Sequence, residues 1–566
     1  MFSTTMLWKV FLVCSLAAKL CSAQNCPWLG PAYHVPIIAR SAAPLQAAGA
    51  AFDAAITQAL ADGNLNASQT FFGIDVYSAL DEKASLYSRF HTATAGTNKT
   101  AVTVGPDTVF RVFSISKLIT VYAFLAKLGD KYWHEPVTKY VPELATAGTT
   151  WGVGRGGFDW EEITLGSLAG QISGIGKDYS ANDLSVSNPG GAPGIRPLTD
   201  EEIVRCGSIG IPPCPRQKAM EMTLQQFPFT LSHRTPGYSN VAFQLLAYAA
   251  ENITGMPFPA IVKSQLIDPL RLSRTYLTNP GGNFSDGVII DGWEIEFGDE
   301  APMGGYYQST TDLTKLGRSI LTSSILPART TRAWLQATAH TGYAMASVGR
   351  PWEILRRNVP VSSGSETTRV VDLFTKQGGG TAYTTLIAVA PDYGVGLSLL
   401  TAGPIAEDFH FIKKLWMDTY LPALEEASRE QAAANFAGTY ALSDNSTATI
   451  TLLPDEPGMF VSEMHSGGAD FIALMATVWS SLGGRVEEGF GAFLYPMGLV
   501  EGNKVAFRAI WGAPGKTVLE DCGSWAEEDR IRYGGYPGDL FIFHLGDDGR
   551  ATGLEVPITG RTLLRA

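Results

Sequence analysis

The sequence predicts an α+β chain in two parts, a body of helices and sheet followed by a small antiparallel β domain. Three observations lead there. The segment Val109 to Leu128 reads as a helix that is apolar nearly all round, and such a helix belongs inside a domain. Residues 383–401 read as two strands joined by a turn at Pro391-Asp392-Tyr393-Gly394. After the charged stretch Glu425 to Gln431 the pattern changes to short alternating segments, TYALS, ATITLL, FLYPM, KVAFRAI and LFIFHL, parted by Gly, Pro and Asp-Gly turns.

The elements follow in order. Lys9 precedes the apolar run Val10 to Ala18, and Cys21-Ser22-Ala23 supplies the small residues of a cleavage site, so residues 1–23 read as a signal peptide. That apolar run is too short to span a bilayer, so no membrane association is expected once it is removed. Residues 42–62 are Ala-rich with helical spacing, and 71–79 with 84–90 read as a strand pair. Residues 145–220 are rich in Gly and Pro and read as loop. Helices are expected over 240–254 and from Ala406 to Leu424. The expected division is a catalytic domain over 24–428 and a β domain over 434–566.

Composition narrows the function. Apolar residues make up 45% and charged residues 17% of 566, an ordinary globular balance. The net charge of −12 with no basic stripe argues against nucleic acid as a partner. Four cysteines remain after the signal peptide, an even count that suits an oxidising compartment. Three pairings are open. Gly207, Pro212 and Pro213 make a tight loop that favours Cys206 with Cys214, which leaves Cys26 with Cys522. Sequons begin at Asn66, Asn98, Asn252, Asn283 and Asn445, as in a glycosylated exported protein.

The chemistry centres on Ser114-Ile115-Ser116-Lys117. Residues three apart share a helix face, so Ser114 and Lys117 sit side by side at the start of a buried helix. A serine hydroxyl needs a base, and an amine serves as one when burial or a second cation lowers its pKa. The helix N-terminus adds N–H groups and a positive dipole end for a developing oxyanion. Rival chemistries lack their residues. The eight histidines form no His-x-His, His-x-x-His or HExxH pair, and neither G-x-S-x-G nor a phosphate loop occurs. Trp133, Trp151, Trp160 and Trp293 read as core or loop packing. No metal or cofactor is expected.

The segment DTVFRVFSISKLITVYAFL resembles the first motif of the serine β-lactamase and D-Ala-D-Ala peptidase family. The stretch WEEITLGSLAGQISGI is similar to the loop that follows it. CGSIGIPPC and the β-rich tail resemble secreted fungal β-lactamase-like proteins. The likeness runs over about 24–566 and is strongest over 107–400. It implies a β-lactamase/transpeptidase-like fold, an antiparallel sheet flanked by helices plus a helical subdomain.

It also implies roles. Tyr238-Ser239-Asn240 matches the family's Tyr-x-Asn, with Tyr238 handling a proton beside Lys117 and Asn240 binding the acyl amide of the substrate. Lys376-Gln377-Gly378 stands where Lys-Thr-Gly is usual, with Gly379 sharing the oxyanion hole with Ser114 and Lys376 holding the protonation states of Tyr238 and Lys117. The glycines are expected to let the substrate backbone approach. Gln377 lacks the usual threonine hydroxyl, which counts against β-lactam recognition. Ser443-Asp444-Asn445 spells another class's motif but reads as a surface turn. The implied partner is a small acyl substrate. Three outcomes stay open: a secreted hydrolase of a small ester, amide or peptide; an acyltransferase or cyclising enzyme of fungal secondary metabolism; or a binding protein without turnover.

Overall fold

The computed structural model of the chain describes residues 26–35, 40–81, 85–95, 102–145, 159–188, 190–191, 193–208, 210–281, 284–404, 406–516 and 522–566. Residues 1–23, Trp151, Asn98 and Asn283 fall outside them. The chain forms two compact units. The larger comprises 49–357 and 372–418; the smaller comprises 358–371, 419–566 and the described residues up to Ala48. Neither unit is one consecutive stretch of chain.

The larger unit is built on a sheet of β1 (Phe71–Ser78), β2 (Ser85–His91), β6 (Ala339–His340), β7 (Ala346–Val348), β8 (Glu353–Pro360), β9 (Thr368–Gly380), β10 (Tyr383–Ala390) and β11 (Val395–Ala402). Their order is β2-β1-β11-β10-β9-β8-β7-β6. β1 and β11 are buried along their whole length, as befits centrally placed strands packed on both faces. The strand pair β1–β2 and the β10–β11 hairpin, with its turn at 391–394, stand where the sequence placed them. The expected helix over 42–62 is α1 (Ala43–Asp62), and that over 240–254 is α3 (Val241–Thr254).

Two boundaries differ from expectation. Val109 to Leu128 is not one helix: Val109–Arg111 is a strand, β3, and α2 runs from Ile115 to Leu128. β3 pairs with β5 (Tyr307–Ser309), which also takes β4 (Thr275–Tyr276). An apolar run does not distinguish strand from buried helix; here a partner strand decides, and Phe113 at φ 44° breaks the chain between them. α2 is buried from Ile115 through Leu125, as its composition requires. The last helix of this region, α5 (Ala406–Phe436), follows α4 (Thr310–Leu321) and runs well past Leu424, so the charged stretch at 425–431 lies inside it. Those residues are strong helix formers, and Glu425 has a buried partner in Arg369.

In the smaller unit β12 (Gly438–Leu442), β13 (Ser446–Thr451), β14 (Met459–Ser466), β16 (Gly491–Glu501), β17 (Lys504–Gly512), β20 (Leu540–Leu545), β21 (Ala551–Val556) and β22 (Arg561–Arg565) pair antiparallel in the order β13-β12-β22-β21-β20-β17-β16-β14. β13 also pairs with β14, which closes the ring into a barrel. β15 (Ala469–Asp470) turns back to pair antiparallel with the end of β14, and β18 (Arg532–Tyr533) with β19 (Tyr536–Pro537) forms a small hairpin. Closure leaves the eight ring strands no free edge. Phe436, Phe507 and Phe543 meet edge to face in the core of this unit. Phe471–Ser481 is a helix, α6, that the sequence reading did not foresee.

Both disulfides are present, Cys206–Cys214 and Cys26–Cys522. Ser443-Asp444-Asn445 forms the turn between β12 and β13, with Asn445 in the left-handed conformation. Asn252 and Asn445 are exposed, whereas Asn66 is half-buried and its carboxamide caps a turn through Ser68 and Gln69. Trp133, Trp160 and Trp293 are buried. No described helix is long and apolar enough to cross a membrane.

Candidate active site

Ser114 stands at the N-cap of α2, at the positive end of the helix, and the next three N–H groups donate to the carbonyls of Val112, Phe113 and Ser114. Phe113, just before it, occupies a left-handed conformation that non-glycine residues rarely adopt. One turn on, Lys117 is fully buried, and its Nζ donates to Ser114 Oγ at 3.0 Å and to the Met303 carbonyl at 2.6 Å. Tyr238 OH donates to the same Oγ at 2.8 Å. Tyr238 is 37% exposed as a residue while its hydroxyl reaches into the cluster. Tyr238, 124 residues from Ser114 in sequence, thus meets Lys117 on one oxygen.

The loop 171–178 holds Tyr238 in place. Gly237 N donates to Gln171 O, Ser239 N to Gln171 Oε1, Ser239 Oγ to Gly176 O and Asn240 N to Lys177 O, all within 2.7–2.8 Å. Asn240 Nδ2 donates to Asp178 at 2.9 Å. The carboxamide expected to face a substrate is therefore partly engaged by a residue that sequence reading missed.

Lys376 is buried on β9. Its ammonium pairs with Glu353 on β8 and donates to Gln377 O at 2.7 Å. Glu353 also accepts from Gln377 N at 2.9 Å, so one carboxylate fixes both residues. The ammonium lies 5.3 Å from the centre of the Tyr238 ring, and Lys117 lies 5.0 Å from it. The glycines do something other than expected at two positions. A Cβ at Gly378 would come 2.0 Å from Val112 O, and one at Gly380 would come 2.5 Å from the Phe113 ring. Those two admit the segment that carries Ser114, not a substrate. Gly379 alone faces open space.

The charges adjust one another. Burial pushes the Lys117 ammonium below its ordinary range, and Lys376 adds to this; Tyr238 and Asp178 oppose it without reversing it. Burial alone would raise the Tyr238 phenol, but Lys117 and Lys376 outweigh it, so its net shift is downward. Burial would lower Lys376 too, yet Glu353 and Tyr238 hold it above the usual lysine range. Lys376 is therefore the fixed cation, and Lys117 with Tyr238 is the pair that can exchange a proton near Ser114 Oγ.

Sequence reading also missed Glu300, a carboxyl 8% exposed, whose pKa burial and then the charge of Asp178 push up to about 8. The folded chain keeps this proton over the range from its ordinary 4.5 to about 8, where the unfolded chain has lost it. Stability tied to Glu300 is thus full below about 4.5 and lost as pH rises through 8. Glu300→Gln is expected to match the parent near pH 5 and to exceed it near pH 9 by on the order of 3 kcal/mol in urea unfolding. A difference that does not change with pH would overturn this.

Neither Glu353, Asp178, Glu300 nor the Met303 carbonyl belongs to a short motif. Asp178 lies three residues beyond the WEEITLGSLAGQISGI stretch, and extending that likeness would have reached it. The others come from chain segments that only the fold brings near.

The geometry agrees with what the sequence is similar to. Residues 53–418 match the Beta-lactamase family, and residues 428–566 match a family described as Beta-lactamase-like-like, C-terminal domain. A Beta-lactamase-like protein of Arthroderma benhamiae is 29% identical over 510 residues, 83% of this chain and 83% of that protein. Probable hydrolase M10 of a Phoma species is 26% identical over 517 residues, 85% of this chain and 79% of that protein. Among solved structures, a D-stereospecific amidohydrolase from a Streptomyces species matches with a TM-score of 0.47 and 20% identity, over 64% of this chain and 97% of that one. With well over half of its length matched by one family, the chain belongs to the beta-lactamase family.

Proposed function

We propose that the protein is a secreted serine hydrolase that forms an acyl-enzyme on Ser114 from a small ester, amide or peptide. One observation carries this: Ser114 Oγ is contacted at once by Lys117 Nζ and Tyr238 OH, two groups whose acidities the site shifts toward proton exchange. In the first step Oγ attacks the carbonyl carbon and its proton passes to the Lys117–Tyr238 pair. The carbonyl oxygen, now anionic, is received by the N–H groups of Ser114 and Gly379. The C–O or C–N bond of the substrate breaks and the leaving group takes the proton from the pair. Water then attacks the ester on Ser114, gives its proton to the pair, and the serine is restored as the acid departs.

Lys376 keeps positive charge beside the Tyr238 phenol, Asn240 binds the acyl portion, and Gln377 lies on the strand along which substrate lies, while Gly378 gives room to the Ser114 segment. Without the threonine hydroxyl at 377, β-lactams are expected to be poor substrates. The names of the two fungal relatives support a hydrolase. Two disulfides support an oxidising compartment, and hence export.

The test is covalent capture. The purified protein is incubated with a fluorophosphonate, a panel of activated esters and a β-lactam, and its intact mass and peptides are measured. A single adduct mapped to Ser114 is the expected result, and the ester that acylates fastest begins to define the substrate. No adduct with any reagent would sink the hydrolase reading.

A further inference from the structure

We infer that Arg111 is a positioning residue that ties the loop 288–296 to the backbone at Phe113–Ser114 and so aims the serine. The inference rests on the reading of Ser114 as nucleophile. Arg111 lies on β3, three residues before Ser114, and is 0% exposed. Its Nη1 donates to the carbonyls of Gly292 at 2.5 Å and Trp293 at 3.0 Å, and its Nη2 to that of Ile295 at 2.6 Å. The guanidinium carbon lies 4.7 Å from the centre of the Phe113 ring, 5.0 Å from Phe297 and 5.1 Å from Tyr307. Its hydrogen bonds among the described residues go to carbonyls and to no carboxylate, while its Nε has no partner.

A buried cation held this way is costly, and a position that needed only filling would carry an apolar side chain. What a guanidinium adds is a planar fork that reaches several carbonyls while its faces lie on rings. Here the fork grips one loop and the face lies on the residue preceding Ser114. Phe113 is pinned from two sides, since Gly380 leaves space for its ring where any side chain would clash. That double contact maintains the left-handed backbone at Phe113, and this backbone sets the direction of the Ser114 N–H and Oγ.

The same grip shapes a cavity. With the carbonyls of 292, 293 and 295 drawn inward to Arg111, Asp291, Glu294, Ile295 and Glu296 form one wall of a cavity of about 430 Å³, faced by residues 210–213. Thr381, one residue past Gly380, donates its Oγ1 to Asp291 O at 3.1 Å and joins this wall to the glycine run beside Ser114. One side chain thus holds both the residue preceding the serine and the loop that walls this cavity.

The test compares Arg111→Lys with Leu399→Ala, a core change on β11 that lowers stability without touching loop or serine. Lysine keeps the charge but loses the fork. Fluorophosphonate labelling at saturating reagent is expected to slow by about tenfold to a hundredfold in Arg111→Lys, and to keep the parent rate in Leu399→Ala. Hydrogen exchange is expected to rise in Arg111→Lys over 288–296 and over 112–116 together. If Arg111→Lys is not recovered folded, Arg111→Gln is measured the same way. Labelling at the parent rate, a loss equal to that of Leu399→Ala, or exchange that rises in the loop but not at 112–116 would each overturn the inference. If the parent itself is not labelled, the reading of Ser114 fails on its own, and the exchange pattern still decides the coupling.

Discussion

Lys117→Met is expected to slow acylation of Ser114 by about 10²–10⁴-fold, the usual weight of a positioned general base, and Ser114→Ala to abolish the adduct. Methionine keeps the unbranched stem of the side chain and suits the buried site, so the loss would report chemistry rather than collapse. What disappears is the nitrogen that lies 3.0 Å from Ser114 Oγ and 2.6 Å from Met303 O. The pH dependence gives a second readout. Lys117 and Tyr238 both sit below their ordinary values of 10.5 and 10.0, so parent labelling should rise with pH and level off earlier than an unshifted lysine or tyrosine would allow. In Lys117→Met the phenol loses a neighbouring cation that lowers it, and the rising limb should move to higher pH. Timed labelling across the neutral and alkaline range measures both. A parent-like rate in Lys117→Met, or an unmoved limb, would show that Lys117 takes no part in the proton transfer.

Glu425→Gln is expected to destabilise the smaller unit by about 3–5 kcal/mol. Arg369 donates Nε to Glu425 at 2.9 and 3.0 Å, Nη2 to it at 2.8 Å, and Nη1 to the Gly30 carbonyl at 3.1 Å. The two side chains are 3% and 0% exposed. Breaking the pair strands a guanidinium in the interior, which is why the loss exceeds that for an exposed pair. Lys414–Asp418, at 73% and 45% exposure, is the internal comparison: Asp418→Asn should cost less than about 0.5 kcal/mol. The double change Arg369→Met with Glu425→Leu should recover most of the loss, since an apolar pair carries no desolvation debt. Urea unfolding checks all three. A loss under about 1 kcal/mol for Glu425→Gln would mean that water reaches the pair.

Legibility followed distance along the chain. Ser114 and Lys117 are one helical turn apart, so their meeting was readable from spacing. Tyr238 and Lys376 were readable from family likeness, each marked by its neighbours. Glu353 was not: it lies 23 residues before Lys376, and only the adjacency of β8 and β9 brings it there. Arg111 looked like part of a helix because Val-Phe-Arg gives no sign of the partner strand at 307–309. The glycine run was noticed, but which of its members faces open space depends on where Phe113 and Val112 lie. Secondary structure failed where a run was ambiguous, at 109–114, or where a charge run hid a helix, at 425–431.

The bond between Cys26 and Cys522 joins residues 496 apart. At ribosomal rates of roughly 5–20 residues per second, Cys26 waits about half a minute to two minutes for its partner to be made. During that interval Cys206 and Cys214, eight residues apart, emerge together and can consume one another before Cys522 exists. The short ring thereby protects the long one from mispairing. Once closed, the long ring makes the molecule topologically circular over almost its entire length. A single protease cut between Cys26 and Cys522 would open the ring without releasing a fragment, until the bond is reduced.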